Sequence, residues 1–210
     1  MSTTIEGDLI VNGSISAQSI SSTANIMRSS LEEDALKTCT INLADIRVHD
    51  AVHTVLPGTP ATDDFGLVGT DYTSTPILRT IDEDNNGAPH AVYGRFFFPL
   101  PVEYVSGGDI RIQIYAGYNT AAPDGSGDLD VECKVWDVAS GALGSDICTT
   151  SAQDISSTTI SAKTFVVTGT NRVAGDTLDI RFSITTEDNT GATVNIGEIT
   201  KIMVLLDIKG

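Results

Sequence analysis

Two clusters of acidic side chains carry the oxygen atoms that a calcium ion prefers. Asp82-Glu83-Asp84-Asn85-Asn86-Gly87 matches the first half of a calcium-binding loop, but that chemistry also needs a bidentate glutamate at loop position twelve. Tyr93 occupies that position. The second cluster surrounds a glycine-rich bend and consists of Asp124, Ser126, Asp128 and Asp130. We interpret both segments, 82–87 and 124–130, as solvated acidic turns and expect no metal or other cofactor, with weak cation binding as the alternative.

Two histidines, His49 and His53, have the four-residue spacing of metal ligands on a helix. They lie in a Val- and Thr-rich stretch that is typical of extended chain, with no cysteine or third histidine close by. His90 is distant in sequence. We therefore expect surface or packed histidines rather than a metal site.

The sequence lacks the motifs of common catalytic sites. No G-x-S-x-G elbow, P-loop or G-x-G-x-x-G is present. Carboxylates are abundant, and abundance alone does not indicate a glycosidase pair. Trp136 occupies a polar-phase position of its predicted strand beside Lys134, where an exposed aromatic ring binds sugar or forms a subunit contact. We predict that the protein is not an enzyme.

The charge of the chain excludes one class of partner. Its 210 residues contain 12 Lys and Arg against 28 Asp and Glu, a net charge of −16. Nucleic-acid binding needs a cationic footprint, and no basic run exists here. The longest apolar run, Ile202–Leu206, is far too short to span a membrane, and the opening residues lack the pattern of an export signal. We expect neither nucleic acid nor membrane as a partner.

Three widely spaced cysteines, Cys39, Cys133 and Cys148, favour reduced thiols in a protein made in a cytosol. Cys133 shares the alternation phase of Val131 and Val135. It is therefore predicted to lie in the core.

Alternation of apolar and polar residues with period two predicts that most of the chain forms strands. The clearest runs lie at 110–114, 129–135 and 178–184, and further runs at 92–98, 164–168 and 193–208. Each run has one apolar face and one polar face that would be exposed to solvent, which is typical of strands in antiparallel sheets. The last run is apolar on both faces from Ile202 to Leu206, which predicts a central strand or a subunit contact.

Many strands joined by glycine-rich turns favour an all-β sandwich, and long, uneven connections favour a jelly roll over a meander. We predict a jelly-roll-like antiparallel β-sandwich over residues 31–210. Ser30 and Glu33 form a capping box. It predicts one short helix over residues 31–37.

Residues 1–30 are predicted to form an extended N-terminal β arm followed by a Ser-rich tether. Asn12-Gly13 is a hairpin-turn signal, so a straight strand and a hairpin with a three-residue loop both fit. Either form presents an apolar face without a local partner, made of Ile5, Leu9, Val11 and Ile15. Such a face invites association, and identical chains usually close it by symmetry. We predict a homotrimer held partly by this arm.

A family resemblance is carried by the segments 98–105, 144–155, 175–181 and 205–210, and by 5–15 in the arm. The first four resemble segments of small virion proteins of tailed bacteriophages and prophages. The arm is similar to segments of phage tail-fibre and tail-tip proteins and of some head proteins. The segments are spread over most of the chain, from residue 5 to residue 210, and contain no catalytic motif. The resemblance implies a virion setting with synthesis in the host cytoplasm.

We therefore predict a structural protein of the virion, a decoration or cement protein that binds the major capsid protein on the capsid exterior and stabilises the head. The acidic charge suits the outer surface, because an inner-face protein would meet packaged nucleic acid. The arm is the predicted anchor, since an extended segment can add a strand to an exposed sheet edge. The alternative is a receptor-binding knob, fibre tip or tail protein that recognises host surface glycans.

Overall fold

The computed structural model describes residues 36–69, 71, 73–82, 89–119, 125–136, 143–187 and 195–209. All of them fall within one compact unit, Ala35–Gly210. The regular structure of this part is almost entirely strand, in chain order β1 Lys37–Ile41, β2 Gly66–Val68, β3 Ile77–Arg79, β4 His90–Pro99, β5 Ile110–Tyr118, β6 Gly127–Trp136, β7 Gln153–Asp154, β8 Ser161–Val167, β9 Thr177–Thr186 and β10 Gly197–Leu206.

The strands form two antiparallel sheets. The six-stranded sheet has the order β2-β3-β10-β5-β8, with β1 also paired to β10, and the four-stranded sheet has the order β4-β9-β6-β7. Neighbouring strands are mostly distant in sequence, as in Greek-key and jelly-roll connections. The predicted jelly-roll-like antiparallel sandwich is confirmed.

The core lies between the sheets and is built by the alternation read from the sequence. In β9, Leu178, Ile180 and Phe182 point inward and are buried. Gly94 of β4 lies directly opposite Phe182, and a Cβ at Gly94 would come within 2.5 Å of the Phe182 ring. The absence of a side chain at Gly94 therefore gives the Phe182 ring its space. Cys133 on β6 is fully buried, which confirms its prediction as a core residue.

β10 is the central strand of the six-stranded sheet. One of its edges pairs with β5 along its length, and the other is shared between β3 and β1. A bulge between Ile199 and Lys201 interrupts the pairing with β5, and such bulges bend and twist a strand locally. The central position explains why Ile202, Met203 and Val204 are all buried, and it confirms the prediction for the last apolar run.

Loop segments cover two sheet edges that would otherwise expose unpaired backbone groups. Along β4, Arg47 exchanges two backbone hydrogen bonds with Arg95, and the amide of Tyr93 donates to the carbonyl of Asp63. Along β8, the amide of Thr149 donates to the carbonyl of Val166, and the amide of Val166 donates to the Thr150 hydroxyl. The first of these loops also forms one side of the candidate site.

The prediction of a short helix over residues 31–37 is wrong for its last residue, Lys37. Lys37 begins β1, whose residues pair in register with Leu206 to Ile202 of β10. The five backbone pairings offered by the open edge of β10 outweigh the local capping signal, and the β-branched residues Thr38, Thr40 and Ile41 suit a strand. Residues 31–35, like the arm, lie outside the described residues. Within the described ranges, no helix has the length and hydropathy needed to cross a membrane.

Candidate binding cleft on the four-stranded sheet

The outer face of the four-stranded sheet carries a floor of charged side chains. Alternation that turns the apolar residues of β4, β6 and β9 inward necessarily turns their intervening residues outward. Two neighbouring cross-strand rows result, Arg95, Arg181 and Glu132 in one and Phe97, Asp179 and Lys134 in the next. All the charged members line a cleft of about 220 Å³.

Two segments outside the sheet form the sides of the cleft. His49 lies two residues beyond the pairing of Arg47 with Arg95, so the loop that covers the β4 edge brings it to one side. Leu143 is held on the other side by an isolated bridge to Trp136. The cleft is therefore bounded by an imidazole and by an exposed apolar side chain.

Each of the three guanidinium nitrogens of Arg95 donates a hydrogen bond at the base of the cleft. Its Nε donates to Asp179 Oδ1 at 2.7 Å, its Nη2 donates to Asp179 Oδ2, and its Nη1 donates to the carbonyl of His49 at 3.1 Å. The hydrogen bond to Asp179 raises the pKa of Arg95 further, against the opposing effect of burial. Since the Asp179 side chain is only 5% exposed, this bidentate pair is a rigid element.

Glu132 is shared between two cations. Lys134 Nζ lies 2.9 Å from Glu132 Oε1, and Arg181 Nη2 bonds to Glu132 Oε2. Burial alone would raise the pKa of Glu132, but the hydrogen bond from Lys134 and the charge of Arg181 outweigh it and lower the pKa. One carboxylate therefore balances two cations, both of which remain substantially open to solvent.

Aromatic rings flank one end of this charged floor. Trp136 is 45% exposed and Phe97 is 39% exposed, and their ring centroids lie 6.2 Å apart in an edge-to-face arrangement. The indole Nε1 of Trp136 donates to Asp179 Oδ2 at 3.3 Å, and the Arg95 guanidinium lies over the Phe97 ring at 5.2 Å. The two rings are thus tied to the same ion pair that forms the base.

At the other end, Tyr93 is covered on the same face. The His49 ring lies 4.7 Å from the Tyr93 ring, and the Arg181 guanidinium lies 5.3 Å above it. His49 Nδ1 also lies 3.5 Å from Asp64 Oδ1. Burial, followed by the charge of Asp63, raises the pKa of Asp64. Cation and imidazole contacts fix the position of Tyr93.

Of the residues singled out from the sequence, Lys134 and His49 line this cleft, and Trp136 lies beside it, bonded to the lining residue Asp179. His53 is exposed and does not line it, so the two histidines do not form a common site. In the described ranges, no group of three or more His, Cys, Asp or Glu side chains is arranged to hold a metal ion. Residues 83–87 of the first acidic turn lie outside those ranges. Residues 125–130 of the second are described, and Gly127 begins β6, so Asp128 and Asp130 lie on a strand and not in the predicted turn.

The arm residues Ile5, Leu9, Val11 and Ile15 also lie outside the described residues. Their roles in trimer formation and capsid anchoring stay predictions. Conversely, sequence reasoning missed Arg95 and Phe97 as site residues. It placed Glu132, Asp179 and Arg181 on wet strand faces without assigning them a common site. The signal for the last three was their alternation phase, which gives the face but not the neighbours.

No family model and no curated protein matches this chain. Among solved structures, the chain is similar to a xylan-binding module of family CBM15, at 10% identity over 83% of this chain and 99% of that one, with a TM-score of 0.44. The CBM22-1 xylan-binding domain of Paenibacillus barcinonensis Xyn10C has 9% identity over 70% of this chain and 82% of that one, with a TM-score of 0.39.

The enzymatically active domain of bacteriophage CBA120 tailspike protein 4 has 12% identity, over 69% of this chain and 18% of that chain, with a TM-score of 0.36. At these identities and TM-scores, the similarities carry no argument about this chain. The chemistry of the cleft is therefore argued from its own residues, and the resemblance to small virion proteins stays a prediction.

Proposed function

We propose that this protein binds carbohydrate, without cleaving it, in the cleft on the outer face of the four-stranded sheet. The observation that carries the proposal is the position of the exposed Trp136 and Phe97 rings, which contact Asp179 and Arg95 of the charged floor, with Leu143 lining the cleft. This function corresponds to the glycan-recognising alternative predicted from the sequence, and it is independent of where the protein resides.

The chemistry of a sugar ring matches this arrangement. A pyranose ring has apolar C–H faces and a rim of hydroxyls that both donate and accept hydrogen bonds. An exposed indole offers an apolar body with a polar tip, and ligand sites typically combine apolar walls with a few well-placed polar groups. Here the exposed Trp136 and Leu143 side chains supply apolar surface. The carboxylate of Glu132 supplies hydrogen-bond acceptors, and the cations of Lys134 and Arg181 supply donors.

The rigidity of the cleft also favours binding. The floor side chains belong to three adjacent paired strands, and Arg95 with Asp179 locks the base through two parallel hydrogen bonds. Functional groups held by paired strands and by supporting ion pairs lose little freedom when a ligand arrives. The same contacts hold Trp136 in its position through Asp179.

The state of the carboxylates supports binding without hydrolysis. A glycosidase needs one carboxylic acid whose raised pKa lets it protonate the leaving oxygen. In this cleft, the cations lower the pKa of Glu132, and Asp179 is held on both oxygens by Arg95. Neither group is arranged as a proton donor.

A glycan array probed with the full-length protein tests the proposal. We expect saturable binding to a subset of oligosaccharides, reduced roughly tenfold or more in Trp136→Ala, since loss of a stacking aromatic anchor costs more than about 1.4 kcal/mol. Val102→Ala is the matched control, because Val102 is 80% exposed on a loop away from the cleft. The proposal is wrong if wild type binds no glycan, or if both variants bind like wild type.

Trp136 is the only tryptophan in the chain, so its fluorescence reports on the cleft directly. A sugar stacked on the indole should change the emission in proportion to occupancy. A ligand that binds on the array without changing the emission would show that another surface carries the contact.

A further inference from the structure

We infer that the cleft selects an acidic saccharide, one bearing a carboxylate such as a uronic acid, over a neutral one. This inference rests on the proposed function and assigns its ligand class. It is carried by the balance of charge at the cleft and by the donors left open there.

The first observation is a local reversal of charge. The chain carries a net charge of −16 with only 12 Lys and Arg, yet three of these, Arg95, Lys134 and Arg181, line this one cleft. Of the described residues, two lining side chains are carboxylates, Glu132 and Asp179. The lining groups therefore sum to one positive charge, on a protein whose surface is otherwise strongly negative.

The second observation locates that charge. Arg95 is neutralised by Asp179, which it binds through two nitrogens. Lys134 and Arg181 share the single carboxylate of Glu132. The uncompensated charge therefore belongs to the Lys134–Arg181 pair, whose side chains are 36% and 45% exposed.

The third observation concerns hydrogen-bonding capacity. A lysine ammonium has three donors and an arginine guanidinium has five. Among the described residues, each of these groups makes one ion-pair contact, to Glu132, and that contact uses fewer than its available donors. A ligand carboxylate can accept from both cations and restore a one-to-one balance of charges with Glu132 still in place.

The fourth observation places the anion relative to the ring. On β6, Lys134 and Trp136 are successive outward residues, about 6.6 Å apart along the strand. Asp179 is the cross-strand neighbour of Lys134 and binds the Trp136 indole. A sugar stacked on Trp136 thus presents a ring substituent toward Lys134 and, one row further, toward Arg181.

Asp130 limits the extent of this positive region. It is the next outward residue of β6 beyond Glu132 and is exposed. An extended polyanion that ran past Glu132 along β6 would meet it. The cleft therefore suits a saccharide with a single acidic group at the cations better than a densely charged polymer.

The experiment compares a uronic-acid oligosaccharide with its carboxyl-reduced counterpart, which has the same ring and linkage but a primary alcohol in place of the carboxylate. Affinities are measured by Trp136 fluorescence and by calorimetry on the full-length protein. We expect the acidic ligand to bind roughly tenfold or more tightly, the ratio that one additional charge-assisted hydrogen bond produces. The preference should decrease as salt is raised.

Two matched variants test the assignment to the cations. In Lys134→Gln the preference for the acidic ligand should fall toward unity, with Arg181 still able to pair with Glu132. Lys201→Gln is the control, because Lys201 lies on the six-stranded sheet, 5.7 Å above the Tyr115 ring, and the preference should persist.

The outcomes separate the two claims. Equal affinity for the two ligands, or a preference unchanged by Lys134→Gln, overturns the selection of an acidic sugar and leaves carbohydrate binding standing. Displacement of the acidic ligand by acetate at matching concentrations also overturns it, because the site would then recognise a carboxylate without its sugar. Failure of both ligands, and of the array, overturns carbohydrate binding itself.

Discussion

Arg95 on β4 and Asp179 on β9 form a bidentate ion pair across the four-stranded sheet, although 84 residues separate them in sequence. They are not direct cross-strand partners. Arg95 faces Arg181, and Asp179 faces Phe97 one row further along. The diagonal reach lets the Arg95 guanidinium cover the Phe97 ring and leaves Asp179 Oδ2 within reach of the Trp136 indole. The pair thereby joins the aromatic and charged halves of the cleft.

Replacing Asp179 with Asn should destabilise the protein markedly. The Arg95 charge would lose its partner in a setting where it is only 22% exposed. Loss of one partner of such a buried pair lowers the free energy of unfolding by roughly 3 kcal/mol. Denaturant unfolding measures the change. The control is Asp109→Asn, since the pair of Asp109 with Arg111 is well exposed and its loss should change the free energy by less than about 1 kcal/mol.

Glu132 should make the stability of the cleft sensitive to acid. Its pKa is lowered in the folded protein, so its contribution is present above its unfolded value of 4.5 and is lost as pH falls through the folded pKa. The difference in unfolding free energy between wild type and Glu132→Gln should therefore be largest near neutral pH and should decrease as the pH falls below 4.5. Glu103→Gln, on an exposed loop, controls for the change in net charge. A difference that grew on acidification would contradict the assignment.

Cys133 should not react with a thiol probe until the protein unfolds. It is fully buried, and burial strongly raises the pKa of its thiol, so access and thiolate fraction are both low. In a Cys39→Ser, Cys148→Ser variant, the native protein should incorporate almost no label and the unfolded protein one equivalent. Rapid labelling of the native variant would show that the sheets open at β6.

Deletion of residues 1–17 tests the arm. The described strands are contained in residues 37–206, so the truncated protein should keep its β-rich circular dichroism and its carbohydrate binding. It should lose trimer formation and any attachment to particles, as should a Leu9→Asp, Val11→Asp variant. Sedimentation of the truncated chain as a trimer, or its undiminished binding to capsids, would show that the sandwich surface carries those contacts.

The sequence was sufficient to predict the six longer strands β4, β5, β6, β8, β9 and β10, whereas the short strands β1, β2, β3 and β7 were not predicted. Leu178, Ile180 and Phe182 alternate with polar residues, and the buried face of β9 follows from that period alone. The run from Ile202 to Leu206, which is apolar on both faces of the strand, likewise indicated a central strand or a subunit contact. The capping box before Leu31 predicted a helix where Lys37 begins a strand. A local signal does not reveal that an edge of β10 is available for pairing with Lys37 and its neighbours.

The site was harder to predict because it depends on pairing between distant strands. Period two tells which residues face outward, but not which strand lies beside which. Trp136 was recognised from its phase, whereas Phe97 lies in an unbroken run of three phenylalanines, where alternation cannot identify the outward ring. The encounter of Arg95 with Asp179 follows from β9 lying beside β4, which no local pattern encodes.

The order of strands along the chain has a consequence for how the protein is made. The centres of the two sheets are β9 and β10, the last two strands in chain order. During synthesis, β4 and β6 are made before β9, the strand that lies between them. Likewise, β1 and β5 are made before β10, with which both of them pair. Their apolar faces wait for partners made later, and such non-local pairing is slow and prone to aggregation. We therefore expect the two sheets to form only after β9 and β10 have been synthesised, and the incomplete chain to expose apolar strand faces until then.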